Sequence, residues 1–146
     1  MSKFLGKILK TGNYNFIIII RLMVGLVFLS EGIQKFLFPE ALGVGRFIHI
    51  GIPYPHFLAP FTGFYEIFCG CLLIAGLFIR LSAIPLLIIN LVAIISTKIP
   101  MLFDKGFWVA AHEGRTDLCM LCGLIILLIT GAGKFSIDYK LQDRYK

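Results

Sequence analysis

The stretch NFIIIIRLMVGLVFLSEGIQKFLF, residues 15–38, decides the class of fold. It is long enough for the roughly 20 apolar residues that cross the hydrocarbon core of a bilayer. Arg21, Glu31 and Lys35 nevertheless interrupt it. Glu31 and Lys35 stand at i, i+4 with the acid on the N-terminal side, the favourable order on a helix, and Gln34 falls on the same face. A charge facing lipid costs about 2.5–3.5 kcal/mol on insertion scales, so such side chains turn toward protein, pair, and commonly mark sites. The stretch therefore predicts a spanning helix that packs against others and carries a polar face in its last two turns.

The rest of the chain supports that reading. Of 146 residues, 58% are hydrophobic and 15% charged, with mean hydropathy +0.90. These values lie outside the range of soluble domains. Three further spans fall at about 57–79, 81–99 and 112–131. The expected fold is all-α: a polytopic membrane protein, a four-transmembrane-helix bundle in one domain over residues 1–146. Pro39 and Pro100 are expected to stop the first and third helices, Pro60 to sit in the first turn of the second, and Gly131 and Gly133 to end the fourth. The turn around Arg80 is short enough to make an antiparallel hairpin of the second and third helices.

Lys3, Lys7 and Lys10 before the first apolar run resemble a signal peptide. Glu31, Gln34 and Lys35 stand where a small-residue cleavage site would be, so the run reads as a retained helix. Lys3, Lys7, Lys10, Arg21, Arg80, Lys134, Lys140, Arg144 and Lys146 fall toward one side, against Lys35, Arg46, Lys98, Lys105 and Arg115 toward the other. This excess places both termini in the cytoplasm. The two longer connections then face outward, with Phe47, Tyr54 and Phe57 in one and Phe103, Phe107 and Trp108 in the other, as in interfacial aromatic belts. The net charge of +6 is carried by these flanking segments. With no basic-aromatic recognition module present, the expected partner is the lipid bilayer and not nucleic acid.

The fourth span is irregular: only residues 118–133 are free of charge, so the helix either tilts little or begins earlier, and beginning earlier draws in His112, Glu113, Arg115, Thr116 and Asp117. On the second span, Glu66 lies two to three turns in, at a depth similar to that of Glu31. The candidate site is therefore Glu31, Gln34, Lys35, Glu66, His112, Glu113, Arg115 and Asp117, with Phe64 and Tyr65 as an apolar wall. Glu66 is its most informative member, having no basic residue within a turn on its own helix. A structural ion-pair network, with Glu31–Lys35 and Glu66–Arg115 as pairs, competes with a polar cavity that handles protons, a small ligand or a quinone headgroup. A third reading leaves the charges of the fourth span in the headgroup region.

Cys119 and Cys122 share a helix face and are candidate redox thiols, although an apolar run beside Asp117 disfavours the thiolate and packing is the favoured account of them. All four cysteines lie in apolar runs, which excludes the disulfide framework of a small secreted domain. His49, His56 and His112 match no ligand spacing, so no metal site is expected. Gly43, Gly45 and Gly51 make no dinucleotide fingerprint. Gly63, Gly70 and Gly76 suit close helix packing.

Three segments together resemble the DoxX family of bacterial four-helix membrane proteins. The first is Arg21-Leu22, Gly25, Phe28, Gly32 and Lys35; the second is Glu66, Gly70, Leu72-Leu73, Gly76-Leu77 and Arg80; the third is Gly131-Ala132-Gly133-Lys134-Phe135-Ser136-Ile137-Asp138. The resemblance implies a multi-pass protein of the bacterial inner (plasma) membrane, associated with quinone- or thiol-linked redox systems; one relative is a thiosulfate:quinone oxidoreductase subunit. The implied role is an accessory protein or non-catalytic oxidoreductase subunit with a polar ligand pocket near the outer face. Quinone is the implied ligand. With no haem, flavin or metal motif in the sequence, a redox partner protein would supply electron transfer. A small-solute or proton-coupled transporter is the alternative, weakened because only Asn90 and Arg21 are polar in the inner half. A structural membrane assembly factor is the other, and a homo-oligomer is compatible with each.

Overall fold

The computed structural model describes Gly12 and residues 14–144. Its helices are α1 (Ile17–Leu37), α2 (Val44–His49), α3 (Pro55–Ala75), α4 (Ile79–Ala93), α5 (Ile99–Lys105), α6 (Phe107–Thr130) and α7 (Ile137–Arg144). A π-helical turn, Ile94–Lys98, joins α4 to α5. Among the described residues there is no strand. Lys3, Lys7, Lys10 and Lys146, used in the orientation count, lie outside the described residues.

Three segments are long and apolar enough to cross a membrane: Ile17–Leu37, Pro55–Ala75 and Ile79–Lys105. Helix α6 has 24 residues, but every 18-residue window of it contains Glu113, Arg115 and Asp117. It packs along α4 and α5 all the same, so the long helices form a ring in the order α1, α3, α4, α6, closed by a lighter contact of α6 with α1. Of one 18-residue apolar stretch in each of the three spans, only 33%, 33% and 28% is buried within the protein. Outward-facing Ile19, Leu26, Phe64, Phe68 and Ile88 on these spans thus suit hydrocarbon as their solvent.

The tightest contact is α1 on α3. A Cβ added at Gly32 would stand 2.7 Å from the Gly63 carbonyl oxygen, and one added at Gly70 would stand 3.0 Å from that of Gly25. The glycines recur at seven-residue spacing on both helices, so two antiparallel backbones approach at two successive levels. Lipid tails are as apolar as leucine, so close backbone approach, not hydrophobic transfer, favours such a pair. Beyond the glycines, Val24, Leu73, Leu86, Leu124 and Leu127 have no exposed surface and form the middle of the core.

Three local expectations are corrected. Pro100 does not stop the third helix, which runs from Ile79 to Lys105. A proline ring clashes with the carbonyl four residues earlier in a regular helix, and the wider turn over Ile94–Lys98 lies at that position. Pro60 is inside α3, because the helix starts at Pro55 after Tyr54 in the left-handed region (φ +50°). Gly76 does not mediate helix packing: it ends α3 at φ +75°, where a Cβ would meet Nη1 of Arg21 at 2.6 Å.

Candidate functional site

A cavity of about 470 Å³ lies at the end of the bundle away from the described termini. Its walls are α1 and α3 on one side, and α4, the π-helical turn and α6 on the other, with α2 and the chain after it contributing Arg46, Phe47, Ile50 and Ile52. The walls are mostly apolar, among them Val27, Phe28, Phe61, Ile89 and Met120. The volume is that of a small-molecule pocket, typically about 300–1,000 Å³.

Two ion pairs face this space. Lys35 Nζ of α1 donates to Glu66 Oε2 of α3 at 2.6 Å, with both side chains largely buried. Lys98 Nζ, at the end of the π-helical turn, lies 3.4 Å from Asp117 Oδ2 of α6. Each pair ties two helices across the bundle. Glu31, Glu113 and Arg46 also line the cavity and make no ion pair among the described residues. π-Helical turns widen a helix locally and recur at functional positions. Here Ser96, Thr97 and Lys98 of that turn all contribute to the wall.

Of the residues singled out in the sequence, Glu31, Lys35, Glu66, Glu113 and Asp117 come together around this cavity, whereas Gln34, His112 and Arg115 do not line it. The Gln34 amide donates to Ser30 Oγ at 2.8 Å on the surface of α1. The Arg115 guanidinium lies against the His112 ring, 2.7 Å from Nε2, and both are exposed. The anticipated Glu31–Lys35 and Glu66–Arg115 pairs are replaced by Lys35–Glu66 and Lys98–Asp117. The i, i+4 partner lost because Glu31 remains exposed, while Lys35 reaches a buried carboxylate across the helix pair. Cys119 and Cys122 are exposed free thiols on α6, as is Cys71 on α3; Cys69 is buried. None of the four lines the cavity.

Sequence reasoning passed over Lys98 and undervalued Asn90. Lys98 falls in the last turn of the expected third span, 81–99, where it counts toward orientation alone. Asn90 is 4% exposed and stands in the cavity wall, where Nδ2 donates to the Asp117 carbonyl at 3.2 Å. A lone amide within an apolar run was the available signal.

The opposite end is closed by a second polar constellation. Arg21, 3% exposed, donates to the carbonyls of Ala132 at 2.9 Å and Phe135 at 2.8 Å. Asp138, 2% exposed, accepts from the Phe78 amide at 2.8 Å and the Ile79 amide at 3.1 Å, orphan donors at the start of α4. The Asp138 amide in turn donates to Gly76 O at 3.0 Å. Ser136 Oγ accepts from the Tyr139 amide at 3.1 Å and so caps α7. Burial pushes the Asp138 carboxyl above the usual carboxylate range, an effect only partly offset by the two backbone donors and by Arg21.

The residues on which the DoxX resemblance rests thus fall in three places: the closed end (Arg21, Gly76 and residues 131–138), the glycine crossing (Gly25, Gly32, Gly70), and the cavity (Lys35, Glu66). No solved structure matches the chain. It is 52% identical over 134 residues, covering 88% of this chain and 82% of the relative, to an uncharacterized membrane protein of Mycobacterium tuberculosis (strain ATCC 25618 / H37Rv). The DoxX family matches residues 16–99, more than half of the chain, and the protein therefore belongs to the DoxX family of membrane proteins.

Proposed function

We propose that this protein is a four-span inner-membrane protein, with both termini in the cytoplasm, that binds a small lipid-soluble ring compound of the quinone type in its outward-facing cavity. In this reading α6 is the fourth span. Its Asp117 is paired with Lys98, which lowers the cost of carrying charge into the membrane. The protein acts as an accessory or subunit of a quinone- or thiol-linked redox system, and a partner protein supplies the electron-transfer chemistry. The observation that carries the proposal is the cavity itself: apolar walls sized for a small molecule, with Lys35–Glu66 and Lys98–Asp117 placed to meet polar substituents.

Transport is the less favoured reading. Below Glu66 and Asn90, the side chains of Val24, Leu73, Leu86 and Leu124 have no exposed surface, so polar lining does not continue to the closed end. An assembly factor held by its ion pairs is the other reading, and Glu66→Gln separates it from ligand binding. In lipid nanodiscs the variant is expected to stay folded by circular dichroism and to lose at least about tenfold in affinity for duroquinone or its hydroquinone, the equivalent of about 1.4 kcal/mol. A variant that unfolds, or one that binds as wild type does, overturns the proposal.

A further inference from the structure

Resting on the ligand reading above, we infer that the cavity opens sideways into the bilayer between α3 and α4, and that its ligand is a ring compound carrying a long hydrocarbon chain, which leaves through that opening while the ring stays beside Lys35 and Glu66. The outer stripe of α3 runs through Phe57, Phe61, Phe64 and Phe68, and that of α4 through Leu81, Ile84, Ile88, Val92 and Ile95, all exposed and recurring at helical spacing. Phe61, Ile88 and Val92 belong to these outer stripes and also line the cavity. A side chain that shares both surfaces stands at a mouth. Phe61 lies about 9 Å along α3 from Pro55, and Ile88 about 13 Å along the antiparallel α4 from Ile79. Both levels fall within a hydrocarbon core about 30 Å thick, so the mouth faces acyl chains.

The opposite flank is different in kind. On the side of α1 and α6 the exposed lining residues are Glu31, Glu113 and Thr116. Hydrocarbon laid against carboxylates deprives them of water, which is costly, so a chain is rejected there. The α3/α4 flank presents Leu58, Phe61, Ile88, Ile89 and Val92. The lining hydroxyls of Thr62, Ser96 and Thr97 are spent on carbonyls of their own helical turns, at 2.9, 2.7 and 2.6 Å, and leave that flank apolar in effect. Lipid tails are as apolar as leucine, so a chain passing from the bilayer into this mouth exchanges like for like. The chain therefore adds little affinity and costs little. A ring seated in about 470 Å³ keeps its polar contacts whatever the length of the chain behind it.

The test compares duroquinone with its analogue in which one ring methyl is lengthened to a hexadecyl chain; both rings are fully substituted and resist addition of the exposed thiols. Each compound is distributed between empty lipid nanodiscs and nanodiscs holding the full chain, so that affinity is counted per lipid and partitioning of the tail is not read as binding. Wild type is expected to bind the two within about threefold of each other. Ile88→Trp, at the mouth, should weaken the long-chain compound at least about tenfold and duroquinone by less than about threefold. Ile84→Trp, one turn away on the same stripe and outside the cavity wall, should change neither. Both positions are exposed, so the indole is accommodated in a folded protein. Exclusion of the long-chain compound from a wild type that binds duroquinone overturns the inference and leaves the ligand reading standing. So does an Ile88→Trp variant that weakens neither compound or both alike, or an equal loss in Ile84→Trp. Binding of neither compound overturns both.

Discussion

At one end of the bundle Arg21 and Asp138, on helices at the two extremes of the described chain, spend most of their polar atoms on backbone: two carbonyls for the guanidinium, whose Nε is left without a partner, and two amides for the carboxylate. At the other end Lys35 pairs with Glu66 and Lys98 with Asp117, both pairs lining about 470 Å³ of space beside Glu31, Glu113 and Arg46, which lack ion-pair partners among the described residues. Both ends hold charge away from bulk water. The first uses it to close loops whose helix-end groups need partners, and the second leaves it facing a volume. Buried polar groups that are met by backbone stabilise one arrangement, while polar groups lining a cavity remain available to a ligand. The two ends should therefore respond differently to substitution, in stability at the first and in binding at the second.

The largest expected effect is at the closed end. Arg21→Met removes two hydrogen bonds from a charged donor, worth about 1.5–3 kcal/mol each. A loss of roughly 3–6 kcal/mol in denaturant unfolding of the reconstituted protein is expected; a loss below about 1 kcal/mol would remove the distinction between the ends. Next is the crossing that both ends share. Gly32→Val sets a branched side chain against the backbone at Gly63 and Ile67 and should cost about 1–3 kcal/mol, seen as a lowered thermal midpoint. It should weaken ligand binding too, since Lys35 and Glu66 meet beside that crossing.

A smaller effect is the pH dependence carried by Asp138. Its folded carboxyl holds its proton more tightly than the unfolded one, so its contribution to stability is full below the ordinary range near about pH 4 and is lost as pH rises through the raised value. The unfolding midpoint should fall with rising pH across that window, and Asp138→Asn should flatten the slope. A midpoint that rises there with Asp138 intact contradicts the assignment. The smallest effect is at Arg115, whose contact is the exposed His112 ring. Arg115→Ala should change stability by less than about 0.5 kcal/mol and leave ligand affinity at the wild-type value; a clear loss of affinity would extend the site beyond the cavity wall.

The polar positions on α1 and α3 were legible because charge in an apolar run is rare and helical spacing assigns it a face. Lys98 was not, because Pro100 two residues on reads as an end, and only the widened turn over Ile94–Lys98 lets the helix pass it. The partner exchange from Glu31–Lys35 to Lys35–Glu66 was not legible either. Local i, i+4 spacing competes with a contact 31 residues away in sequence, and the glycine crossing that brings α1 and α3 so close decides between them. The closed end was visible only in pieces, as Arg21 in one apolar run and residues 131–138 in the tail.

Length, hydropathy and the periodic placement of charge determined that this chain is helical, belongs in a membrane, and keeps polar faces inside its bundle. These properties follow from the solvent and the helix repeat, which act on each segment separately. Which charge meets which, and where space remains between the helices, were decided by the tertiary structure. Pairing depends on the relative rotation and separation of helices, and two glycines on each of α1 and α3, with one π-helical turn, set those for the cavity.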